Sequence, residues 1–218
     1  MSACCAVHSA IRIRGGQPKM RHRQQNGVSL VVSLLMLIAV MLLGLSATQI
    51  ALQSEKASRN DRDRQIAFQA AEASLLDAEM DIENSPDPAR SRSAVFSKHN
   101  AYAFIAGCGT GEANPFLGLC ARVADGSAPA WLAIDFLDDT PSAASVPFGK
   151  FTGQTFQVGK GSLPARLPRY IIELLPYNGP GESAELPSRG YFYRITGVGF
   201  GMRDATQVVL QTFYRKQD

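Results

Sequence analysis

The residues of this chain that could do chemistry are few and lie far apart. His99 is the one histidine after Gly27, and no G-x-S-x-G, H-E-x-x-H or phosphate-binding glycine loop occurs. No motif therefore supplies a nucleophile together with the base that would activate it. We predict that the chain is not an enzyme, that it has no catalytic residues and that it uses no cofactor. His99 is interpreted as a surface residue.

An acidic cluster follows Trp131 in the middle of the chain and consists of Asp135, Asp138 and Asp139. Carboxylates are good calcium ligands, but the D-x-D-x-D-G spacing of a calcium loop is missing. A solvated loop is the favoured interpretation, so no metal site is predicted, and binding of an ion by these three aspartates stays open. Trp131 is predicted to be a core residue.

Two of the four cysteines, Cys108 and Cys120, enclose a glycine-rich loop, whereas Cys4 and Cys5 lie near the N-terminus. Two cysteines without a histidine pair or a second cysteine pair make a poor zinc signature. A disulfide between Cys108 and Cys120 is favoured if the compartment is oxidising. It would stabilise the fold by roughly 3 kcal/mol, a model-dependent figure.

The element that positions everything else is the run from Gly27 to Ser54, which contains no Asp, Glu, Lys, Arg or His. A helix needs roughly 20 apolar residues to cross the hydrocarbon layer, and only a helix pairs every backbone polar group within one segment. The alternatives are a buried core helix and a cleaved secretory signal, but the run is longer than a typical signal core. We therefore predict a retained transmembrane helix.

Five basic residues and no acid precede this run: Arg12, Arg14, Lys19, Arg21 and Arg23. The positive-inside rule then predicts a cytoplasmic N-terminus and a C-terminal part on the far side of the membrane. From Val28 onward 17 basic residues face 19 acidic ones, a net charge of about −2, so the basic pI of the whole chain does not indicate nucleic-acid binding.

Helical sequence continues beyond the membrane, because no Pro or Gly interrupts Leu45 to Glu83 and good helix formers dominate. The prolines at 86 and 88 are expected to end the helix. One apolar stripe, at spacings of three and four residues, is predicted to pack on the head domain. Its members are Phe68, Ala71, Leu75, Ala78 and Ile82.

Strands are predicted in the C-terminal third, at Tyr170–Leu175, Tyr191–Val198 and Thr206–Tyr214, because β-branched and aromatic residues are frequent and turn residues bound them. Short links between them favour an antiparallel sheet covered by the helix. In the middle, Trp131–Phe136 is the best strand candidate, and Ser93–Ile105 is read as a short helix or strand. The fold class is α+β: a long N-terminal transmembrane helix packed on a C-terminal antiparallel sheet.

Four segments follow from these patterns. Residues 1–27 form a cytoplasmic leader, 28–54 the membrane helix, 55–83 its periplasmic continuation and 84–218 a β-rich globular head. Met20 would start a short basic leader, MRHRQQNG, that ends at Gly27. Whether Met1 or Met20 is the true start stays open.

This arrangement resembles the type IV pilins, and within them the PilX-type minor pilins. The resemblance rests on the stretch from Gly27 to Glu79, above all residues 60–73 (NDRDRQIAFQAAEA), and on Tyr193–Gly199 (YRITGVG) together with Thr206–Gln211 (TQVVLQ). Together these stretches cover about a third of the chain.

The resemblance implies cleavage after Gly27 by a prepilin peptidase, which would leave Val28 as the first mature residue, N-methylated. It implies assembly with other minor pilins and the major pilin on an inner-membrane platform, priming a pilus and remaining at its tip, with a large tip adhesin as a further candidate partner. Twitching motility and adhesion would depend on it. The helix would lie in the inner membrane before assembly and in the fibre core afterwards.

The chain departs from the major pilins at two positions. They have Phe at the first mature position and Glu at the fifth, where this chain has Val28 and Val32. That acid is thought to pair with a neighbour's terminal amine, so its absence fits a subunit present in few copies.

Two other hypotheses stay open: a minor pseudopilin of a type II secretion system, and a bitopic membrane protein with an extracytoplasmic binding domain. A methylated Val28 would favour either pilin-like hypothesis, whereas an intact leader would favour the bitopic protein.

Overall fold

The computed structural model describes residues 27–97, 101–124, 126–177 and 190–216. The longest element is helix α1, Val28–Glu83, of 56 residues. The chain divides into two compact units, Met1–Gln53 and Ser54–Asp218, which are described separately below. The leader, Met20, Cys4, Cys5 and His99 lie outside the described residues.

In the first unit, the described residues from Val28 to Gln53 form an uninterrupted stretch of α1 with every side chain exposed. This stretch is long and apolar enough to cross a membrane, and none of its most hydrophobic window is buried. The predicted helix therefore carries the apolar surface of a single-pass membrane anchor.

The second unit joins the remainder of α1 to a five-stranded mixed sheet. Its elements after α1 are a 3-10 turn (Ser93–Val95), β1 (Leu119–Cys120), α2 (Ala130–Ala133), β2 (Val146–Pro147), β3 (Arg169–Tyr177), β4 (Gly190–Phe200) and β5 (Gln207–Tyr214). The strand order is β1-β3-β4-β5, and β2 also pairs with β3.

The predicted α+β class is confirmed, and β3, β4 and β5 occupy the three predicted strand segments as antiparallel neighbours. The two-residue strand β2 is also antiparallel to β3, but β1 runs parallel to it, so the sheet is mixed. Parallel pairing of β1 requires a long connection, and the chain between Cys120 and Arg169 contains the short helix α2, the two-residue strand β2 and loops.

The principal core lies where α1 meets the sheet. Three aromatic side chains meet there: the Phe96 ring is 5.4 Å from the Tyr193 ring, edge to face, and the Phe104 ring stacks on Tyr193 at 5.9 Å. Ile82, Tyr170 and other apolar residues complete this core. A second cluster packs around the cysteines and includes Phe136, Ile171, Val198 and Phe200.

One sequence prediction of local structure is wrong, and a second is right only in part. Trp131–Phe136 was predicted as a strand, but Ala130–Ala133 forms one helical turn after Pro129, and the segment has no strand partner among the described residues. Trp131 is half-buried against the second cluster. In Ser93–Ile105 the regular structure among described residues is one 3-10 turn and an isolated bridge at Ile105.

The prediction that one apolar stripe of α1 packs on the head is confirmed in part. Ala71, Ala78 and Ile82 are fully buried and Leu75 is half-buried, but Phe68 is 43% exposed. Ala67, one position earlier, occupies the buried face in its place. Since the helix approaches the sheet closely at this level, a phenylalanine ring would not fit between them.

Candidate functional site

The exposed apolar stretch of α1 is the first candidate functional surface. Leu30, Val40, Leu43 and Ile50 each expose more than half of their area, as do most of their large apolar neighbours. The hydroxyl groups of Ser33, Ser46 and Thr48 donate to backbone carbonyl oxygens three or four residues earlier. These three hydroxyl groups are thus satisfied within the helix, as a bilayer or a bundle of similar helices requires.

The proposed processing junction lies at the start of this helix. Gly27 has a left-handed backbone with φ of +46°, and α1 begins at the next residue, Val28. The first helical turn contains no acidic residue, and Val32 exposes 49% of its area.

A second feature of α1, inside the second unit, is a buried face that carries three aspartates, Asp63, Asp77 and Asp81. Their spacing along the sequence is 14 and 4 residues, so Asp63 and Asp81 are separated by 18 residues, about five full helical turns. Buried carboxylates are costly unless they are hydrogen-bonded or paired, and each of these is.

Asp63 is held by the loop between β4 and β5. Its carboxylate accepts hydrogen bonds from the backbone N–H of Met202 (2.5 Å), the Arg203 guanidinium (3.0 Å) and the Thr206 hydroxyl (2.7 Å). Burial by itself raises the pKa of Asp63, but the bonds from Thr206, Arg203 and Met202 outweigh it and the pKa is lowered. The ionised carboxylate therefore fixes this loop to the helix.

Asp77 faces a different loop. Its carboxylate accepts from the Thr152 hydroxyl and from the backbone N–H of Gly149 (2.8 Å). No cation forms an ion pair with it among the described residues, and burial, together with the nearby Asp81 charge, raises its pKa despite these hydrogen bonds.

Asp81 belongs to a buried ionic network with Arg92. The two oxygens of Asp81 accept from Arg92 Nε at 3.0 Å, and Arg92 Nη2 lies 2.6 Å from Oδ2. The hydroxyl of Tyr170 on β3 donates to the same carboxylate at 2.9 Å, and burial raises the pKa of Tyr170 well above its ordinary value. Arg92 also donates to the Leu117 carbonyl at 2.6 Å and stacks 3.6 Å from the Phe151 ring centre. Helix, sheet and two loops thereby converge on one ion pair.

Small residues let the helix and β4 approach closely between these aspartates. A Cβ added at Gly199 would overlap the backbone carbonyl of Ala67 and the backbone nitrogen of Ala71. A Cβ at Gly197 would overlap the Ser74 hydroxyl. The YRITGVG stretch therefore contains glycine where the helix backbone leaves no space for a side chain.

The cysteines are joined as the sequence favoured: Cys108 and Cys120 form a disulfide across 12 residues, and both are buried. Cys108 has a positive φ of 68°, which places a sharp turn at the start of the loop. The loop is thereby tied to β1, which ends at Cys120.

The acidic cluster is arranged as a loop with ion pairs. Asp139 lies 2.5 Å from Arg166 and 2.8 Å from Arg169. Asp135 accepts from the backbone N–H of Leu137 and Asp138 from that of Thr140. Among the described residues no group of three or more His, Cys, Asp or Glu side chains is placed to hold a metal ion.

The sequence interpretation missed the buried aspartates. An aspartate in a helix ordinarily faces solvent, so only the apolar stripe within residues 55–83 was predicted to be buried. A signal was available, because Asp63, Ala67, Ala70, Ser74, Asp77 and Asp81 share one helical phase. Small and acidic residues on one stripe, with large apolar residues scattered outside it, indicate close packing with buried polar anchors.

Two models of known protein families match the chain. The PilX N-terminal model matches residues 26–76, which include the apolar stretch and the aspartate-bearing face as far as Ser74. The model described as the C-terminal part of the type IV pilus assembly protein PilX matches residues 116–216, which include all five strands. No curated protein and no solved structure matches the chain. The two family matches together span more than half of the sequence, and the chain belongs to the PilX family of type IV pilus assembly proteins.

Proposed function

We propose that this type IV pilus assembly protein is a minor pilin that primes pilus formation within a complex of minor pilins and stays at the tip of the fibre. The observation that carries the proposal is the apolar surface of α1 between Val28 and Gln53, where every side chain is exposed. No described part of the protein covers that surface, and an apolar surface of this size is unfavourable in water. Lipid or the helices of sister subunits must therefore cover it. The PilX family of pilus assembly proteins is structural rather than enzymatic, which fits this surface.

The proposed life of the subunit begins in the inner membrane, with the N-terminus in the cytoplasm and the head in the periplasm. A prepilin peptidase would cleave after Gly27, and Val28 would become the methylated N-terminus. The uncharged surface would then exchange lipid for the helices of other minor pilins and the major pilin on the assembly platform. Support of twitching motility and adhesion would follow from pilus formation, with a tip adhesin as a candidate partner.

The tip position is supported by Val32, where major pilins have glutamate. An acid at this depth needs a partner charge, since an unpaired charge in an apolar environment is costly. With valine, the subunit needs no terminal amine of a subunit docked above it. A tip subunit has no subunit docked above it and so receives no such amine, whereas a shaft subunit repeated along the fibre always has a neighbour above it.

The test is a deletion of the gene, complemented with the natural chain or with Val32→Glu. We expect the deletion to reduce the number of surface pili and of twitching cells several-fold, and the natural chain to restore both. Val32→Glu should change the amount of the protein recovered in sheared pili. Val31→Glu is the matched control, because it adds the same charge one residue away.

Three results would contradict the proposal. Unchanged pilus number after deletion would remove the priming role, and loss of protein secretion with normal pili would favour a type II pseudopilin. A mature protein whose N-terminal peptide still contains the residues before Gly27 would favour the bitopic membrane protein. Equal pilus composition with Val32 and with Val32→Glu would remove the argument for the tip.

A further inference from the structure

A groove lies in the second unit between two walls. One wall is the part of α1 that directly follows the uncharged run, and the other is the loop between β4 and β5. It encloses about 500 Å³. Its lining consists of Lys56, Arg59, Asn60, Arg62, Asp63, Met202 and Arg203.

The groove is strongly cationic. Four of its seven lining residues are Lys or Arg, and one is acidic. That acid, Asp63, is 1% exposed and already accepts from Met202, Arg203 and Thr206. A second acid, Glu55, lies outside the lining and pairs with Arg59 at 2.5 Å at an exposed position. The groove therefore keeps a net positive charge that its own carboxylate does not neutralise.

Two of the guanidinium groups are held in place by neighbours. Arg62 donates to the Ser162 hydroxyl at 2.6 Å. Arg203 donates to Asp63 at 3.0 Å and to the Asn60 side chain at 3.2 Å, yet its side chain remains 65% exposed. Lys56 makes no hydrogen bond or ion pair with any residue that the structure describes. Fixed guanidinium groups with free N–H donors suit a phosphate, which they bind bidentately.

The position of the groove along the helix is informative. Lys56, Asn60 and Asp63 continue the stripe that includes Ala67, Ala70 and Ser74, so the groove lies at the N-terminal end of the helix face that packs on the sheet. The run from Gly27 to Ser54 has 28 residues. At 1.5 Å per residue it would measure about 42 Å, equal to a bilayer of about 40–45 Å including its headgroups. Lys56 and Arg59 follow directly, so their backbone would lie at the outer edge of the headgroups, from which long basic side chains reach back to the phosphates.

We propose that this groove binds the headgroup of an anionic phospholipid in the leaflet from which α1 emerges. The inference rests on the membrane localisation in the proposed function. An acidic surface on another protein would also be attracted to the groove. Lipid is favoured because Lys56 and Arg59 come within one and a half turns of Ser54, the last residue of the uncharged run. At this position a long basic side chain reaches phosphates.

The experiment uses the full chain reconstituted in phosphatidylcholine bilayers that contain spin-labelled lipid. Electron paramagnetic resonance gives the fraction of immobilised lipid for labelled phosphatidylglycerol and for labelled phosphatidylcholine, and their ratio is the preference of the protein. The test variant is Lys56→Gln with Arg59→Gln. The matched control is Arg64→Gln with Arg90→Gln, which removes the same charge from α1 and the head outside the groove.

We expect the natural chain to prefer phosphatidylglycerol several-fold, and the preference to fall by up to about fivefold for each charge removed from the groove. The control should keep the preference, and raising the salt concentration should weaken it in the natural chain. No preference in the natural chain, or equal loss in the control, would overturn the proposal.

A second arm separates lipid from free anion. Inorganic phosphate is added to the detergent-solubilised chain, and then to the bilayers, at matched ionic strength. Millimolar phosphate that stabilises the natural chain against heat and abolishes the lipid preference would assign the groove to a soluble anion instead. Lipid preference is measured on the reconstituted chain without pili. It can therefore be observed even if the deletion test contradicts the proposed role in pilus assembly. If the natural chain shows no preference for phosphatidylglycerol but cells with the groove variant lose their pili, the groove would be assigned to an acidic protein partner.

Discussion

The pKa values of Asp63 and Asp77 are shifted in opposite directions, although both carboxylates are buried on one face of α1. Asp63 has Arg203, Thr206 and the Met202 N–H as donors, and its pKa is lowered. Burial and the nearby Asp81 charge raise the pKa of Asp77, and the hydrogen bonds from Thr152 and Gly149 and the attraction of Arg92 do not offset them. The same residue type on the same helix therefore stabilises the head in opposite pH ranges.

The pH dependence of the Asn variants follows from these directions. A lowered pKa means that the contribution of Asp63 is present above its ordinary value of 3.8 and is lost as the pH falls through the lowered pKa. The raised pKa of Asp77 means that its contribution is present below 3.8 and is lost as the pH rises through the raised pKa. Asp63→Asn should therefore destabilise more at pH 7 than at pH 3, by about 1–3 kcal/mol. Asp77→Asn should destabilise less at pH 7 than at pH 3.

Urea unfolding of the full chain in detergent at both pH values measures these differences. Asp61→Asn is the control, since Asp61 is exposed on the same helix and its change should be small at both pH values. Parallel pH profiles for the Asp63 and Asp77 variants would contradict the assignment of opposite pKa directions.

At the scale of elements, the distance between α1 and β4 is set by the absence of side chains. Gly197 and Gly199 on β4 lie against Ser74, Ala67 and Ala71 on the helix. Close approach then lets Asp63 reach the β4–β5 loop. A larger spacing would move its carboxylate away from the donors in that loop.

Gly199→Ala should destabilise the head by more than the 1–3 kcal/mol that is typical of one added group in a packed core. The new Cβ meets the helix backbone at Ala67 and Ala71, which cannot rotate away as a flexible side chain would. Thermal or urea unfolding of the full chain in detergent gives the difference.

Gly190→Ala is the control for this substitution. It lies at the start of the same strand, and a Cβ there has no atom within 4 Å. Equal stability of the Gly199 and Gly190 variants would show that the helix and β4 are able to separate without loss.

Elements with strong local patterns were predictable from the sequence. The long helix ends at Glu83, three residues before Pro86, and β3, β4 and β5 lie in the segments rich in β-branched and aromatic residues. The Cys108–Cys120 disulfide followed from the lack of other ligands near the pair. Each of these depends on neighbours in sequence or on composition.

Features that depend on distant partners were not predictable in this way. Phe68 matched the apolar spacing but is exposed, because the glycines of β4 determine which helical phase faces the sheet. Trp131–Phe136 has the composition of a strand but no pairing partner among the described residues. Arg92, 11 residues after Asp81, neutralises that carboxylate only because the chain turns back after α1.

At the scale of the whole molecule, the chain consists of two units with different requirements. The described part of the first unit depends on its surroundings, since its apolar side chains are all exposed. The second has its own core, disulfide and buried ion pair. A change that alters the surroundings should therefore affect the first unit without unfolding the second.

Met41→Lys tests this separation. Met41 lies near the middle of the uncharged run and is 64% exposed, so the charge would face lipid or sister helices. A lysine at the centre of a membrane helix costs about 2.5–3.5 kcal/mol on insertion scales. We expect less protein in the membrane fraction and less in sheared pili, while the head keeps its disulfide and its resistance to protease.

Leu76→Lys is the matched control, since Leu76 is 59% exposed in the second unit, on the same helix, and the substitution adds the same charge. It should leave membrane retention unchanged because residue 76 lies beyond the uncharged run. If Met41→Lys and Leu76→Lys were retained in the membrane and in pili to the same extent, the apolar surface would not be the assembly determinant. If Met41→Lys instead made the head sensitive to protease, the two units would not fold independently, because a charge confined to the first unit would then have destabilised the core of the second.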